Sequence, residues 1–150
     1  MLRFGVIGIL CVLLSACGGG EQNVKNFNKR PVTLPDGAVV QAEALTNRID
    51  MARGMMFRDS LPDGEGMLFF HGSTNKYGYW MYQVKVPLDI IWMDARGVVV
   101  EISENTPPCP SKSSKECPTF GGNKESMVVL EVPGGYARKH GVAVGQMIRF

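Results

Sequence analysis

The feature that most constrains the fold is the spacing of the apolar residues, which after position 30 come in short runs separated by glycine and proline. The 150-residue chain contains 18 glycines and 9 prolines, a content that favours many turns over long helices. Short runs with frequent turns predict a mostly β fold of the α+β type. We expect a compact small barrel or sandwich of short antiparallel strands with two short helices.

Two turn sequences predict β-hairpins. A Pro-Asp-Gly turn at 35–37 joins apolar runs at 32–34 and 38–45, and the second run alternates apolar and polar residues as a half-buried strand does. A second turn, Asp-Ala-Arg-Gly at 94–97, joins the apolar runs at 88–93 and 98–102 and predicts a second hairpin. The other predicted strands occupy residues 67–70, 79–83, 88–93, 98–102, 127–132 and 146–150.

Two short helices are predicted between the strands. Asn47 can cap the first helix, with Asp50 three residues later, and the helix is expected to end near Gly54. The second is predicted at 134–140, directly before another glycine. Residues 104–125 are rich in Pro, Ser, Lys and Gly and predict a long loop.

The N-terminal residues predict an exported protein. Arg3 precedes an uncharged apolar run at 4–14, which is short for a membrane span and fits the core of a signal peptide. The run ends in Leu-Ser-Ala-Cys at 14–17, which resembles the lipobox of bacterial lipoproteins. The resemblance implies cleavage before Cys17 and lipidation of its sulfur, and an ordinary secretory leader is the alternative.

The lipobox also sets the expected organisation and location of the chain. Residues 1–16 are predicted as the lipoprotein signal peptide, 17–30 as a flexible tether and 31–150 as a single domain. Gly18 stands where sorting rules of enterobacteria would place an aspartate for inner-membrane retention, which implies the outer membrane. We therefore expect a lipid-anchored protein of the cell envelope, on the periplasmic side, with the membrane as a partner.

Seven stretches of the chain form a recognisable set. They are Arg53-Gly54-Met55-Met56-Phe57-Arg58, Gly66-Met67-Leu68-Phe69, Tyr79-Trp80-Met81, Pro87-Leu88-Asp89-Ile90, Pro108-Cys109, Cys117-Pro118 and Val129-Leu130-Glu131-Val132-Pro133. In this order they resemble the DUF192 family, small prokaryotic domains of unknown function, over residues 31–150. The resemblance implies a compact, mostly β fold and frequent export, and it implies no established reaction, cofactor or catalytic residue.

Cys109 and Cys117 are the two cysteines left once Cys17 is lipidated and Cys11 is removed with the leader. They lie in one predicted loop, and an exported protein meets oxidants that keep disulfides formed. A structural disulfide is therefore expected. The competing hypothesis is a redox or metal pair, although the spacing is not Cys-x-x-Cys and no histidine is nearby.

Asp89 is the candidate acid, because it stands among apolar residues of a predicted strand, where an unpaired charge is costly. Arg53 and Arg58 are the expected partners in a buried ion pair that joins helix to sheet. The functional alternative is a general acid or base with a shifted pKa, acting together with Glu65 or His71.

An aromatic cluster is the other candidate surface. Trp80 and Tyr82 are expected on one face of a strand, with Tyr79 and Met81 on the other, and exposed aromatic rings bind sugars or anchor peptides. Phe120 belongs to the cysteine loop and is expected to add to this surface. Core packing is the structural alternative.

Composition and motifs leave three functional hypotheses. The net charge is only +2, and the sequence shows no cluster of basic residues that would form a nucleic-acid-binding face. Nucleic acid is therefore not an expected partner. The first hypothesis is a non-enzymatic accessory module that binds a small ligand or an envelope protein, without cofactor or metal. The alternatives are a hydrolase-like enzyme that uses Asp89 and a copper handler that uses methionine thioethers.

Overall fold

The computed structural model describes residues 28–150. This part of the chain folds into eight strands and two short helices, with a 3₁₀ turn at Ser114–Glu116. The strands are Lys29–Thr33 (β1), Val39–Leu45 (β2), Glu65–Asn75 (β3), Tyr79–Trp80 (β4), Leu88–Met93 (β5), Val99–Thr106 (β6), Thr119–Phe120 (β7) and Ser126–Pro133 (β8), and the helices are Arg48–Arg53 (α1) and Tyr136–Lys139 (α2).

A mixed six-stranded sheet forms the centre, in the order β1-β2-β3-β8-β5-β6. Strands β2 and β3 are parallel, because the chain crosses between them through α1, and the other neighbours are antiparallel. Strands β4 and β7 form a separate two-stranded ribbon. The mostly β prediction with two short helices is therefore confirmed. The prediction of antiparallel strands is wrong for β2 and β3, which are parallel, and residues 28–150 form no closed barrel.

Locally determined elements match their predictions. The β1–β2 hairpin turns at Gly37, whose φ of 89° suits glycine. Asn47 caps α1 by accepting a hydrogen bond from the Asp50 backbone N–H at 2.9 Å, and Gly54 ends the helix. The β5–β6 hairpin is likewise present, with the Asp94 side chain accepting from the Val98 backbone N–H at 2.9 Å.

Three predicted segments need correction. The predicted strand at 79–83 is only two residues long, because the chain turns after Trp80 and Gln83 takes a φ of 58°. The predicted strand at 146–150 is reduced to two isolated bridges, Val98 with Met147 and Thr33 with Arg149. The predicted loop at 104–125 overlaps the end of β6 and contains the short strand β7.

The two faces of the sheet carry separate hydrophobic cores. Along β8, Leu130 and Val132 belong to a first core that includes β1, β2 and α2, and Val129 belongs to a second core. The second core includes Met55 after α1 and Met81 after β4. The sheet therefore separates two apolar layers within the described part of the chain.

In residues 28–150, neither helix has the length or the apolar character needed to cross a membrane. The predicted signal peptide, Cys17 and most of the predicted tether lie outside the described residues.

Candidate functional site

An open cavity of about 410 Å³ lies over the second core. One wall comes from α1 and the residues after it, with Met51, Met55 and Met56 lining the space. The other wall comes from β3, β4 and the turn after β4, and Glu131 of β8 completes the lining. The volume falls within the range of small-molecule sites, which are concave and mostly apolar with a few polar groups.

Glu131 is the unusual residue of this cavity. The residue is only 5% exposed, and its Oε2 atom has no hydrogen-bond partner among residues 28–150. Its register partners are apolar, Met67 on β3 and Ile90 on β5. Burial raises the pKa of Glu131 to about 8, and the charge of Arg58 lowers it only in part. At neutral pH the carboxyl is therefore mostly protonated and able to donate a hydrogen bond.

Two arginines supply positive charge to the same cavity. Arg48 and Arg53 line it from the first and last residues of α1, and both are exposed. Neither has an ion-pair partner within the described part of the chain. A free guanidinium beside an apolar cavity is suited to bind a carboxylate or another oxyanion.

His71 and Tyr79 form the polar part of the opposite wall. The His71 Nε2 atom lies 3.0 Å from the Tyr79 hydroxyl, and the imidazole stacks on the Tyr77 ring with centroids 3.5 Å apart. Burial lowers the pKa of His71, which favours its neutral form. Burial also raises the pKa of the Tyr79 hydroxyl, with a further contribution from Glu131. Both groups are therefore neutral hydrogen-bonding groups at pH 7.

Aromatic side chains form the rim as predicted. Trp80 is 45% exposed, Tyr82 lines the cavity beside it, and their ring centroids are 6.2 Å apart. Tyr79 and Met81 point inward to the second core, so the predicted alternation is observed. Phe120 pairs with Tyr79 across the β4–β7 ribbon and packs partly buried against the core, rather than on an exposed surface.

The predicted disulfide supports the aromatic wall from behind. Cys109 and Cys117 are bonded to each other, with Cα atoms 5.6 Å apart. The Cys109 backbone N–H donates to the Met81 carbonyl at 3.1 Å, and Cys109 packs against the second core. The loop with the disulfide is therefore fixed to the chain that carries Trp80 and Tyr82.

The sequence and the fold agree on the relationship of this chain to known proteins. The model of the DUF192 family, described as "Uncharacterized ACR", matches residues 32–150. The chain belongs to the DUF192 family. No curated protein is significantly similar to it.

Two solved structures share the fold of this DUF192 domain. One is a protein of unknown function from Novosphingobium aromaticivorans, 27% identical, with 95% of this chain and 100% of that chain covered and a TM-score of 0.74. The other comes from Sinorhizobium meliloti and is described as a "putative transcription regulator"; it is 24% identical, with 79% and 89% covered and a TM-score of 0.68. The second likeness is evidence of the fold alone.

Asp89 of this DUF192 domain has different partners from those predicted. The side chain is fully buried and accepts from three backbone N–H groups, of Asn105 at 2.6 Å, Gly135 at 2.9 Å and Ala137 at 2.7 Å. These bonds join β5 to the end of β6 and to the start of α2. The predicted ion pair with Arg53 or Arg58 is therefore wrong, because backbone donors satisfy the carboxylate.

The two arginines predicted as partners of Asp89 have different surroundings from each other. Arg58 donates two hydrogen bonds to Glu43, at 2.7 and 2.8 Å, across a second cavity of about 360 Å³ that adjoins the first. This pairing raises the pKa of Arg58. Arg53 lines both cavities.

The predicted catalytic candidates do not meet in one site. Asp89 lies against α2, and Glu65 pairs with Lys29 at 2.9 Å at the start of β3. Of the three, His71 alone lines the large cavity. Residues 28–150 also contain no group of three or more His, Cys, Asp or Glu that could hold a metal ion.

Glu131 is the residue that sequence reasoning missed. Glu131 is an acid inside the apolar run 127–132, just as Asp89 is an acid among the apolar residues of its strand. Burial alone does not separate the two acids, since both are buried in strands. They differ in their partners, which the sequence pattern does not contain. Copper handling by methionines stays a prediction; Met67, Met81 and Met93 are buried in the cores.

Proposed function

We propose that this DUF192 domain is a non-enzymatic binding module that holds a small organic ligand in the cavity beside Glu131. The observation that carries the proposal is the buried Glu131 carboxyl, unpaired among residues 28–150, in the lining of a mostly apolar cavity. A buried polar group without a partner costs about 1–3 kcal/mol. A ligand atom that bonds to Glu131 would offset this cost, which gives the residue a role in binding.

The walls of the cavity are held in place before any ligand enters. The Phe57 backbone N–H donates to the Gln83 carbonyl at 2.9 Å, which joins the segment after α1 to the turn after β4. Both residues have positive φ, 66° and 58°, a conformation that non-glycine residues adopt at a cost. A preformed site loses less conformational entropy on binding, which supports a ligand site over an incidental gap.

The hydrolase-like alternative has less support. Its proposed acid, Asp89, already accepts three backbone hydrogen bonds and does not line the cavity. A carboxylate engaged in this way serves the fold, because both of its oxygens already accept backbone hydrogen bonds.

The binding proposal is tested by filling the cavity. Ala52 is exposed on α1 and lines the cavity, so Ala52→Phe adds a ring there without disturbing a core. The wild-type protein is expected to bind the neutral fluorescent probe N-phenyl-1-naphthylamine at one saturable site. We expect Ala52→Phe to weaken this binding at least tenfold, as followed by probe fluorescence.

Ala143→Phe is the matched control, because Ala143 is exposed and does not line the cavity. It should bind the probe as the wild type does. Absence of saturable binding to the wild type, or equal binding by both phenylalanine variants, would count against this cavity as the site.

The envelope location is part of the proposal. The Leu-Ser-Ala-Cys sequence at 14–17 supports lipidation of Cys17, and the Cys109–Cys117 disulfide supports exposure to an oxidising compartment. An anchored binding module near a lipid surface would meet ligands in the periplasm. The outer membrane remains the proposed attachment site, on the basis of Gly18.

A Cys17→Ala chain tests the anchor. We expect the wild-type protein in the membrane fraction of a bacterial host. The variant should be lost from that fraction, because it lacks the acyl chains, at least two of which are needed for stable attachment. Mass spectrometry of the N-terminal peptide should find the lipid on Cys17 of the wild type. A wild-type protein with an intact Met1 and an unmodified Cys17 would contradict the anchor and leave the cavity proposal untouched.

A further inference from the structure

We infer that the ligand is an organic anion, with an apolar body and one carboxylate or similar oxyanion, recognised by Arg48, Arg53 and the buried Glu131, which line the same cavity. This inference rests on the proposed binding function and names the ligand class. The apolar body would contact the methionine wall, where Met51, Met55 and Met56 line the cavity.

The charges around the cavity favour an anion. Arg48 and Arg53 are exposed, line the cavity, and have no ion-pair partner within residues 28–150. Glu131 is the one carboxyl in the lining. Arg58 does not change this balance, because Glu43 pairs with it. With Glu131 protonated, the lining carries an excess of positive charge, which repels amines and attracts carboxylates.

The uncharged polar groups of the cavity can form hydrogen bonds with the oxygen atoms of a ligand. A protonated Glu131 donates one hydrogen bond, and an anionic ligand would be repelled if this carboxyl were ionised at close range in a poorly solvated site. Titratable and charged groups face this region from α1, the segment after α1, β3, β4 and the turn after β4. They are Arg48, Arg53, Arg58, His71, Tyr79 and Tyr82.

A set of eight-carbon competitors separates this inference from simple apolar binding. Octanoate, octylamine and octanol share one chain and differ in charge, and each can be titrated against N-phenyl-1-naphthylamine bound to the domain at pH 6.5. We expect octanoate to displace the probe at a concentration at least tenfold lower than octylamine and octanol. A double variant, Arg48→Gln with Arg53→Gln, should lose this preference and still bind the neutral probe.

The pH dependence gives a second readout that apolar binding would not produce. A free carboxylate such as octanoate keeps its charge between pH 6.5 and 9, whereas Glu131 loses its proton in this range. We expect octanoate affinity to fall by up to about tenfold from pH 6.5 to 9 in the wild type, because about a tenth of Glu131 stays protonated at pH 9. In Glu131→Gln the affinity should remain flat, because the amide stays neutral.

The outcomes distinguish the two proposals. If the neutral probe itself does not bind, the proposed function fails. If the probe binds and octylamine or octanol competes as well as octanoate, the site is apolar only and the anion inference is overturned. A preference for octanoate that survives the double arginine variant would also overturn the assignment to Arg48 and Arg53.

Discussion

Glu131→Gln is expected to make the domain more stable in alkaline solution, by an amount that grows with pH. The folded pKa of about 8 lies above the ordinary value of 4.5, so the folded domain keeps a proton that the unfolded chain loses between these values. Wild-type stability therefore falls as pH rises through this interval. The full difference between the two pKa values corresponds to a loss of at most about 5 kcal/mol of wild-type stability above pH 8.

Denaturant unfolding at several pH values between 4 and 9 would measure this effect. The variant and the wild type should have similar free energies of unfolding near pH 4, where Glu131 is protonated in both states. They should diverge by several kcal/mol at pH 8.5. Glu125→Gln is the control, since Glu125 is exposed just before β8. Parallel pH curves for wild type and Glu131→Gln would show that the carboxyl is not held neutral by burial.

Asp89→Asn is expected to have the opposite effect on stability. The carboxylate accepts three backbone hydrogen bonds, and an amide would place an NH₂ group against at least one backbone donor. Loss of charge-assisted bonds and an unsatisfied N–H at a fully buried position together cost about 3 kcal/mol or more. The free energy of unfolding at pH 7 should fall by this amount, and amide exchange at Ala137 should become faster.

Glu104→Gln provides a matched control in the same region. Glu104 is exposed and pairs with Arg138 of α2, with a distance of 2.6 Å between Oε2 and Nη2. A surface pair of this kind contributes less than about 1 kcal/mol, so this variant should change stability little. A stable, well-folded Asp89→Asn domain would contradict the structural role given to Asp89 and would reopen the catalytic hypothesis.

Elements whose determinants are local were predictable from the sequence. The Asn47 cap and the Pro-Asp-Gly turn act within a few residues, so their patterns could be recognised directly. The predicted strand at 146–150 was wrong because an apolar pattern does not show whether a partner edge is available. In the structure this segment makes only single bridges, to Thr33 and Val98.

The site was only partly predictable, because its chemistry depends on contacts between distant segments. Trp80, Tyr82, Arg53 and His71 were candidates, and all four line the cavity. Asp89 was a reasonable candidate acid, but its partners are backbone N–H groups, which carry no side-chain signature. Glu131 became evident only when the sheet placed it between Met67 and Ile90, beside a cavity and without a hydrogen-bond partner for Oε2 in residues 28–150.

The alternation of β8 assigns neighbouring residues of one strand to two different layers of the domain. Val129 and Glu131 meet the cavity layer, whereas Leu130 and Val132 belong to the layer that contains α2. Substitutions on one layer share few contacts with the other, and effects of separated residues usually add. If the proposed site binds a ligand, substitutions that line the cavity should alter its preference and should have smaller effects on the layer that contains α2.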